Sequence, residues 1–278
     1  RVSGQIEQEM WWSEPAAVEL AADQSIGADA IEAIIDASIR EQLEAERGVG
    51  LFLSGGVDSS IIASSPVVRE AALPAFVATF PAAEYLDESH HAQSVAEACG
   101  LPLTKIAMTD DRIQEAASRL GAAYDEPFAD ASALPTLALT KEVAQHCTVA
   151  LSGDGGDELF GGYRRHSVLK LRAALPSSLR LLGGLLGGRL GEALRSPTDH
   201  EAWAALVRMH PGLDVMDDPI GGVGGLSGAL RRDTRLALPG DLLVKMDRAA
   251  MDSALEVRTP FLTEAVHAAA WSLPHGQR

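Results

Sequence analysis

Residues 51–60 read LFLSGGVDSS, from Leu51 to Ser60. An apolar run enters a small, hydroxyl-rich, glycine-rich loop, and a helix start follows near Asp58. Gly55 and Gly56 let successive backbone N–H groups turn toward one point, which suits anionic oxygens. The helix start adds its positive dipole end, and Ser54, Ser59 and Ser60 add hydroxyls. The stretch has no lysine, so it is not the Gly-x-x-x-x-Gly-Lys-Ser/Thr phosphate loop. Asp58 would repel phosphate unless a divalent cation sat between them. A plain strand-to-helix turn is the simpler alternative. The full run behind an apolar strand argues against it.

Working outward, residues 28–47 have helical periodicity, with Ile31, Ile34, Ile35 and Leu43 near one face. GVGLFL before the loop reads as a buried strand, and residues 58–72 as a helix. PAFVATF (residues 74–80) reads as a strand, and residues 87–99 as a helix stopped by Gly100. A strand over 103–107 and a helix over 110–120 follow. After the loop DEPFADAS, a helix is predicted over 134–146 and a strand over 148–151. Strands alternating with helices predict an α/β fold: a parallel twisted sheet flanked by helices. Ligands of such sheets bind beyond the strand carboxyl ends, at a topological switch point.

The strand at 148–151 also ends in a small-residue loop, SGDGGDE, which echoes the first. Asp157 is placed much as Asp58 is, and Asp154 adds a carboxylate. Two facing loops would let Asp58 and Asp157 share Mg²⁺ while Asp154 stays free for proton transfer. The alternative is a turn rich in Asp and Gly for backbone reasons alone. Beyond Ser167 strand signals fade, and the rest reads as helical with a break at Thr259-Pro260. GGVGGLSG near Gly221 reads as a mobile loop, and residues 179–194 as a glycine-weakened helix pair or loop. The organisation expected is a segment 1–27, an ATP-binding α/β core 28–166 and a helical portion 167–278.

The net charge of −16 over 278 residues disfavours polyanion partners, so neither nucleic acid nor an anionic membrane is expected. No apolar leader precedes Trp11-Trp12, and no apolar run reaches bilayer length. Cys99 and Cys147 form no metal-binding spacing and read as core thiols of a cytoplasmic protein.

SGGVDSS resembles the pyrophosphate loop of the N-type ATP pyrophosphatases. DEPFADASALPT, LSGDGGDELFGGYRRH and LLVKMDRAAMDSALEVRTPFL narrow the resemblance to the synthetase domain of glutamine-hydrolysing asparagine synthetases, over residues 10–274. The resemblance implies adenylation of a carboxylate, β-aspartyl in the main family, with loss of pyrophosphate. Ammonia or an amine then attacks to give an amide and AMP. It implies ATP and Mg²⁺, with Ser54, Gly55, Gly56, Val57, Asp58, Ser59 and Ser60 cradling pyrophosphate. Asp58 and Asp157 would hold the metal. Phe52 or Leu53, Ala78, Ser152 and Gly153 would lie along adenine. Asp154 stands where an acidic general base is proposed, and many members have Glu there. Asp125, Glu126 and Ser132 would shape the substrate pocket.

Departures from the pattern carry their own expectations. No segment here fits the family's N-terminal glutaminase, so ammonia is expected from a separate domain, a partner or solution. A downstream lysine that the family uses at the phosphates is not in this sequence. The tyrosine–glutamate pair of β-lactam synthetases is not matched at Asp154. Lys245, Asp247, Arg248, Glu256 and Arg258 are expected to form a paired network joining the two halves. Lys141, Arg164 and Arg165 are expected in solvent, and His90 and His91 to bind no metal. An oligomer is compatible with the sequence.

Overall fold

A computed structural model describes residues 26–180, 183, 185–207 and 224–273. The segment expected over 1–27 therefore lies almost wholly outside the described residues.

Helix α1 (Ala28–Gln42) leads into β1 (Val49–Phe52). It stops short of the predicted Arg47 because Arg258 Nη1 donates to the carbonyls of Gln42 and Glu44, at 2.7 and 2.8 Å. A guanidinium there satisfies the open carbonyls of a helix end. The helix expected over 58–72 is two: α2 (Val57–Ser64) and α3 (Pro66–Glu70). Pro66 cannot donate to a continuing helix but suits a first helical position.

Then come β2 (Ala75–Thr79), α4 (Ser89–Cys99), β3 (Leu103–Ala107), α5 (Asp110–Ala123), α6 (Ala133–Val143) and β4 (Val149–Leu151). Gly100 adopts a left-handed φ of 73° at the end of α4, as the stop signal required.

The helical portion comprises α7 (Gly156–Phe160), α8 (Arg164–Ala174), α9 (Ser177–Arg180), α10 (Gly188–Arg195), α11 (Asp199–Val207) and α12 (Gly225–Arg232). A π-helix (Asp233–Leu242), α13 (Leu243–Met251) and α14 (Glu264–Ser272) complete it. Of the stretch read as a mobile loop, Gly221–Val223 lie outside the described residues. Gly225–Gly228 correct that reading, since they form the first turn of α12.

The other correction is β5 (Glu256–Arg258), which lies where no strand was expected. Its two charged residues in three hide it from a hydrophobicity search. It survives as an edge strand, where a charged side chain is tolerated. The sheet order is β3-β2-β1-β4-β5 and every pairing is parallel. The chain runs outward from β1 to β3, then returns to place β4 on the other side of β1. The switch point therefore falls between β1 and β4, the strands that carry the two glycine-rich loops.

Alternation along β1 divides the core. Val49, Leu51 and Leu53 pack with Ile35, Ile39, Ile62 and Phe261 on one face. Phe52 joins Phe76, Ile106, Leu137 and Val143 on the other. A separate cluster around Leu169, Trp203 and Ala229 holds the helical portion together. Cys147 is buried in the second cluster as a small hydrophobe, and both cysteines are free thiols.

The expected ion network is present in part. Lys245 Nζ donates to Asp130 Oδ2 at 2.6 Å and to Ser132 Oγ at 2.8 Å, and Arg248 pairs with Asp125 at 2.7 Å. These contacts tie the 125–132 loop to α13. The Lys245–Asp130 pair is largely buried, so removing the cation leaves a carboxylate unpaired. Lys245→Met should destabilise the fold by about 3 kcal/mol, read as a lower urea midpoint with unchanged slope.

Candidate active site

Leu51 lies in register with Leu151 across β1 and β4. β1 runs on to Phe52 while β4 ends at Leu151, so the first loop leaves the sheet one residue later than the second. A Cβ built on Gly153 would lie 3.0 Å from Ser59 N and 3.1 Å from Asp58 Cβ. One on Gly156 would lie 2.3 Å from Asp58 Cγ. One on Gly162 would lie 1.8 Å from Asp157 Oδ1. Each carboxylate thus occupies space that a side chain would otherwise fill. The glycines of the second motif are needed for this reason, beyond turn geometry.

The first loop is held from behind. Gly55 has φ 81°, and a Cβ on it would strike the backbone of His91 and Ala92 in α4. Gly56 N–H donates to Ser54 Oγ at 3.2 Å. Ser59 Oγ shares a 3.1 Å bond with Ser54 Oγ, while Ser60 Oγ turns back to Gly56 O at 2.7 Å. Ser60 N–H is bonded to Gly56 O. The first amides of α2, on Val57, Asp58 and Ser59, precede that bond and have no partner within the helix, as at any helix start.

A cavity of about 850 Å³ lies over this junction. Of the predicted residues, Phe52, Ser54, Gly56, Val57, Asp58, Ser59, Ser152, Gly153, Asp154 and Asp157 line it. A smaller cavity of about 190 Å³ at the ends of β1 and β2 is lined by Phe52, Leu53, Ser54 and Ala78. The two share Phe52 and Ser54, so the smaller cavity adjoins the larger one. Gly55 and Ser60 support the loop and line neither cavity. Asp125, Glu126 and Ser132 also line neither; they sit on the loop clasped to α13.

The site concentrates negative charge. Burial pushes the Asp58 carboxyl up to about 7, and the neighbouring charges of Asp157 and Glu158 add to the shift. Burial also raises Asp157, opposed by the charges of His166 and Arg165. Enclosure raises Asp154, whose Oδ2 accepts from Ser152 Oγ at 2.7 Å; that bond and the charge of Lys245 pull the other way. Fully buried Glu158 accepts from Tyr163 Oη at 2.5 Å. Crowded carboxylates in glycine gaps, beside the first amides of α2, fit a hard divalent cation held jointly with phosphate oxygens. Among the described residues no group of three or more His, Cys, Asp or Glu is arranged to hold a metal ion by itself.

The asparagine synthase family model matches residues 30–278. The chain belongs to the asparagine synthase family. A putative asparagine synthetase [glutamine-hydrolyzing] of Mycobacterium tuberculosis is 32% identical over 280 residues, covering 90% of this chain and 43% of that protein. Asparagine synthetase [glutamine-hydrolyzing] 1 of Bacillus subtilis is 28% identical over 273 residues, covering 87% and 43%. Amidase chry2 of Gibberella zeae is 26% identical over 176 residues, covering 56% and 26%. The chain thus spans less than half the length of these relatives. Among the described residues no helix is long and apolar enough to cross a membrane.

Sequence reasoning missed several residues at this site. Gly156 and Gly162 were visible only as turn formers. Glu158 and Tyr163 lie inside the quoted motif but reveal their mutual bond only in three dimensions. Arg165, expected in solvent, instead lies 3.6 Å over the Tyr163 ring and bonds Asp233. Lys141 does pair at the surface, with Glu115. Exposed His90 and His91 touch with tilted rings, 3.9 Å between centroids and 41° between planes.

The Gly162 contact gives a direct test. Gly162→Ala must displace the Asp157 carboxylate, and should weaken cation-dependent ATP binding about tenfold, measured by calorimetry with Mg²⁺ present. Binding of ATP in EDTA should change little.

Proposed function

We propose that this chain is an ATP-dependent, amide-forming ligase. It activates a carboxylate as the acyl-adenylate with release of pyrophosphate, then passes the acyl group to ammonia to give an amide and AMP. The β-carboxylate of aspartate is the first candidate acid. The reading rests above all on the interlock of the two loops. Asp58 and Asp157 sit in glycine gaps at the start of α2 and the second loop, beside the smaller cavity lined by Phe52, Leu53 and Ala78.

Each residue has a physical task in this scheme. The amides of Val57, Asp58 and Ser59, with the Ser54 hydroxyl, receive the pyrophosphate oxygens as charge builds on them. Phe52, Leu53 and Ala78 offer the base an apolar surface in the smaller cavity, with Ser152 and Gly153 lining the larger one. Asp58 and Asp157 would hold Mg²⁺, which when bound neutralises phosphate charge and polarises the bond that breaks. Asp154 takes a proton from the nitrogen as it attacks the acyl carbon. Ser152 fixes the orientation of that carboxylate.

A second reading keeps the chemistry and changes the acid. The large cavity has an apolar wall of Ile31, Ile35, Ile61 and Phe261, which would suit a carboxylate with an apolar body. Incubation with ATP, Mg²⁺, ammonium and a panel of carboxylic acids separates the readings. Phosphorus NMR should show AMP and pyrophosphate, and mass spectrometry should identify which acid becomes an amide. ADP and phosphate as products would overturn both.

A further inference from the structure

Behind Asp157 lies a buried polar cluster that the proposed chemistry does not use. Asp233 opens the π-helix and has no exposed surface. Its carboxylate accepts from Trp203 Nε1 at 2.7 Å, from Arg165 Nε at 3.1 Å, and bonds His166 Nε2 at 2.5 Å. Those donors come from α11 and the first turn of α8. The α8 turn is joined to the second glycine-rich loop through Gly161–Tyr163. Gly161 N–H donates to Asp157 O at 2.9 Å, and Gly162 leaves the gap in which the Asp157 side chain lies. Arg165 stacks on Tyr163, which bonds Glu158.

We propose that Asp233 is a positioning residue for the carboxylate of Asp157, acting through Arg165, His166 and the Gly161–Tyr163 turn. This rests on the reading of Asp157 as a cation ligand. Three observations carry it. First, a fully buried carboxylate with three partners from two helices, α8 and α11, is a rigid anchor, since each partner satisfies a group that burial would otherwise penalise. Second, the anchored Arg165 lies 3.6 Å over the ring of Tyr163, which in turn bonds Glu158, the residue next to Asp157. Third, Asp233 begins a ten-residue π-helix, a geometry uncommon in ordinary packing and frequent near functional sites. The helical portion thereby sets the geometry of a ligand that belongs to the sheet's second loop. Residues behind a metal ligand typically change metal affinity 10- to 100-fold when altered.

The test is Mn²⁺ binding to the protein, followed by electron paramagnetic resonance with and without ATP. Asp233→Asn should weaken Mn²⁺ binding at least about tenfold, while ATP binding in EDTA stays as in the unchanged protein. Asp199→Asn, which breaks the ion pair with Arg172 elsewhere in the helical portion, should leave Mn²⁺ affinity unchanged. Arg165→Met should reproduce the loss and Arg165→Lys should restore most of it. Since Arg165 is partly exposed, this pair decides the matter if Asp233→Asn does not fold. Wild-type Mn²⁺ affinity in folded Asp233→Asn, or in Arg165→Met, would overturn the proposal. So would an equal loss in Asp199→Asn. Mn²⁺ binding that survives Asp157→Asn would instead overturn the cation assignment, and the proposal with it.

Discussion

Asp154→Asn should leave pyrophosphate exchange into ATP intact and slow amide formation by about 10²–10⁴-fold, the usual contribution of a positioned general base. The substitution is nearly isosteric and keeps an acceptor for Ser152 Oγ, so the loop has no reason to move. The nucleotide contacts assigned to Val57, Ser59 and Ser152 are untouched, so the first half-reaction continues. Only the proton from the attacking nitrogen loses its acceptor. Acyl-adenylate should accumulate, visible by quenched-flow sampling of AMP-linked product. A pH dependence follows from the same group. Enclosure raises its proton affinity, so the ionised base is lost as pH falls at a higher pH than for an ordinary carboxylate. The amide-forming step should therefore fail on acidification before adenylation would fail from Asp154 alone. Equal loss of exchange and amide formation in Asp154→Asn would contradict the assignment.

Asp58→Asn should stabilise the ligand-free chain and abolish its Mg²⁺-dependent binding of ATP. The carboxyl of Asp58 is pushed up to about 7, first by burial and then by Asp157 and Glu158. The folded state therefore binds a proton more tightly than the unfolded chain does. Stability from this group is present at low pH and falls as pH rises from the ordinary carboxylate range through about 7. Above that range the ionised group destabilises the fold, and a neutral amide of the same shape removes the repulsion. Allowing for solvent screening, the gain is about 1–2 kcal/mol, or roughly 2–5 °C in melting temperature at pH 8. A stability gain coupled to functional loss is the pattern expected of a site strained for its ligand. A lower melting temperature with retained cation-dependent binding would contradict this account of the loop.

Much of this was legible in the sequence because the informative features are local. The run LFLSGGVDSS places a strand, a turn and a helix start within ten residues, and its echo at Leu151 fixes a second. The alternation of strands and helices from Val49 to Leu151 then leaves little choice but a parallel sheet. The parts that escaped depend on distant partners. Glu256–Arg258 lacks the apolar pattern of a strand and is one because β4 offers it an edge. Helix α1 ends early because Arg258, 216 residues from Gln42, takes its carbonyls. Arg165 looks solvated in the string YRRH, and its partner Asp233 lies 68 residues away. The loop 125–132 reads as part of a substrate pocket, yet it is clasped to α13, beyond the lining of both cavities.

The central claim is that this chain activates a carboxylate with ATP. Acid-dependent exchange of labelled pyrophosphate into ATP, with Mg²⁺ present and ammonium absent, tests it most directly. Exchange should appear only when a cognate acid is added, with aspartate tried first, and should vanish in Asp58→Asn. Exchange that proceeds without any acid, or that persists in Asp58→Asn, would contradict the account.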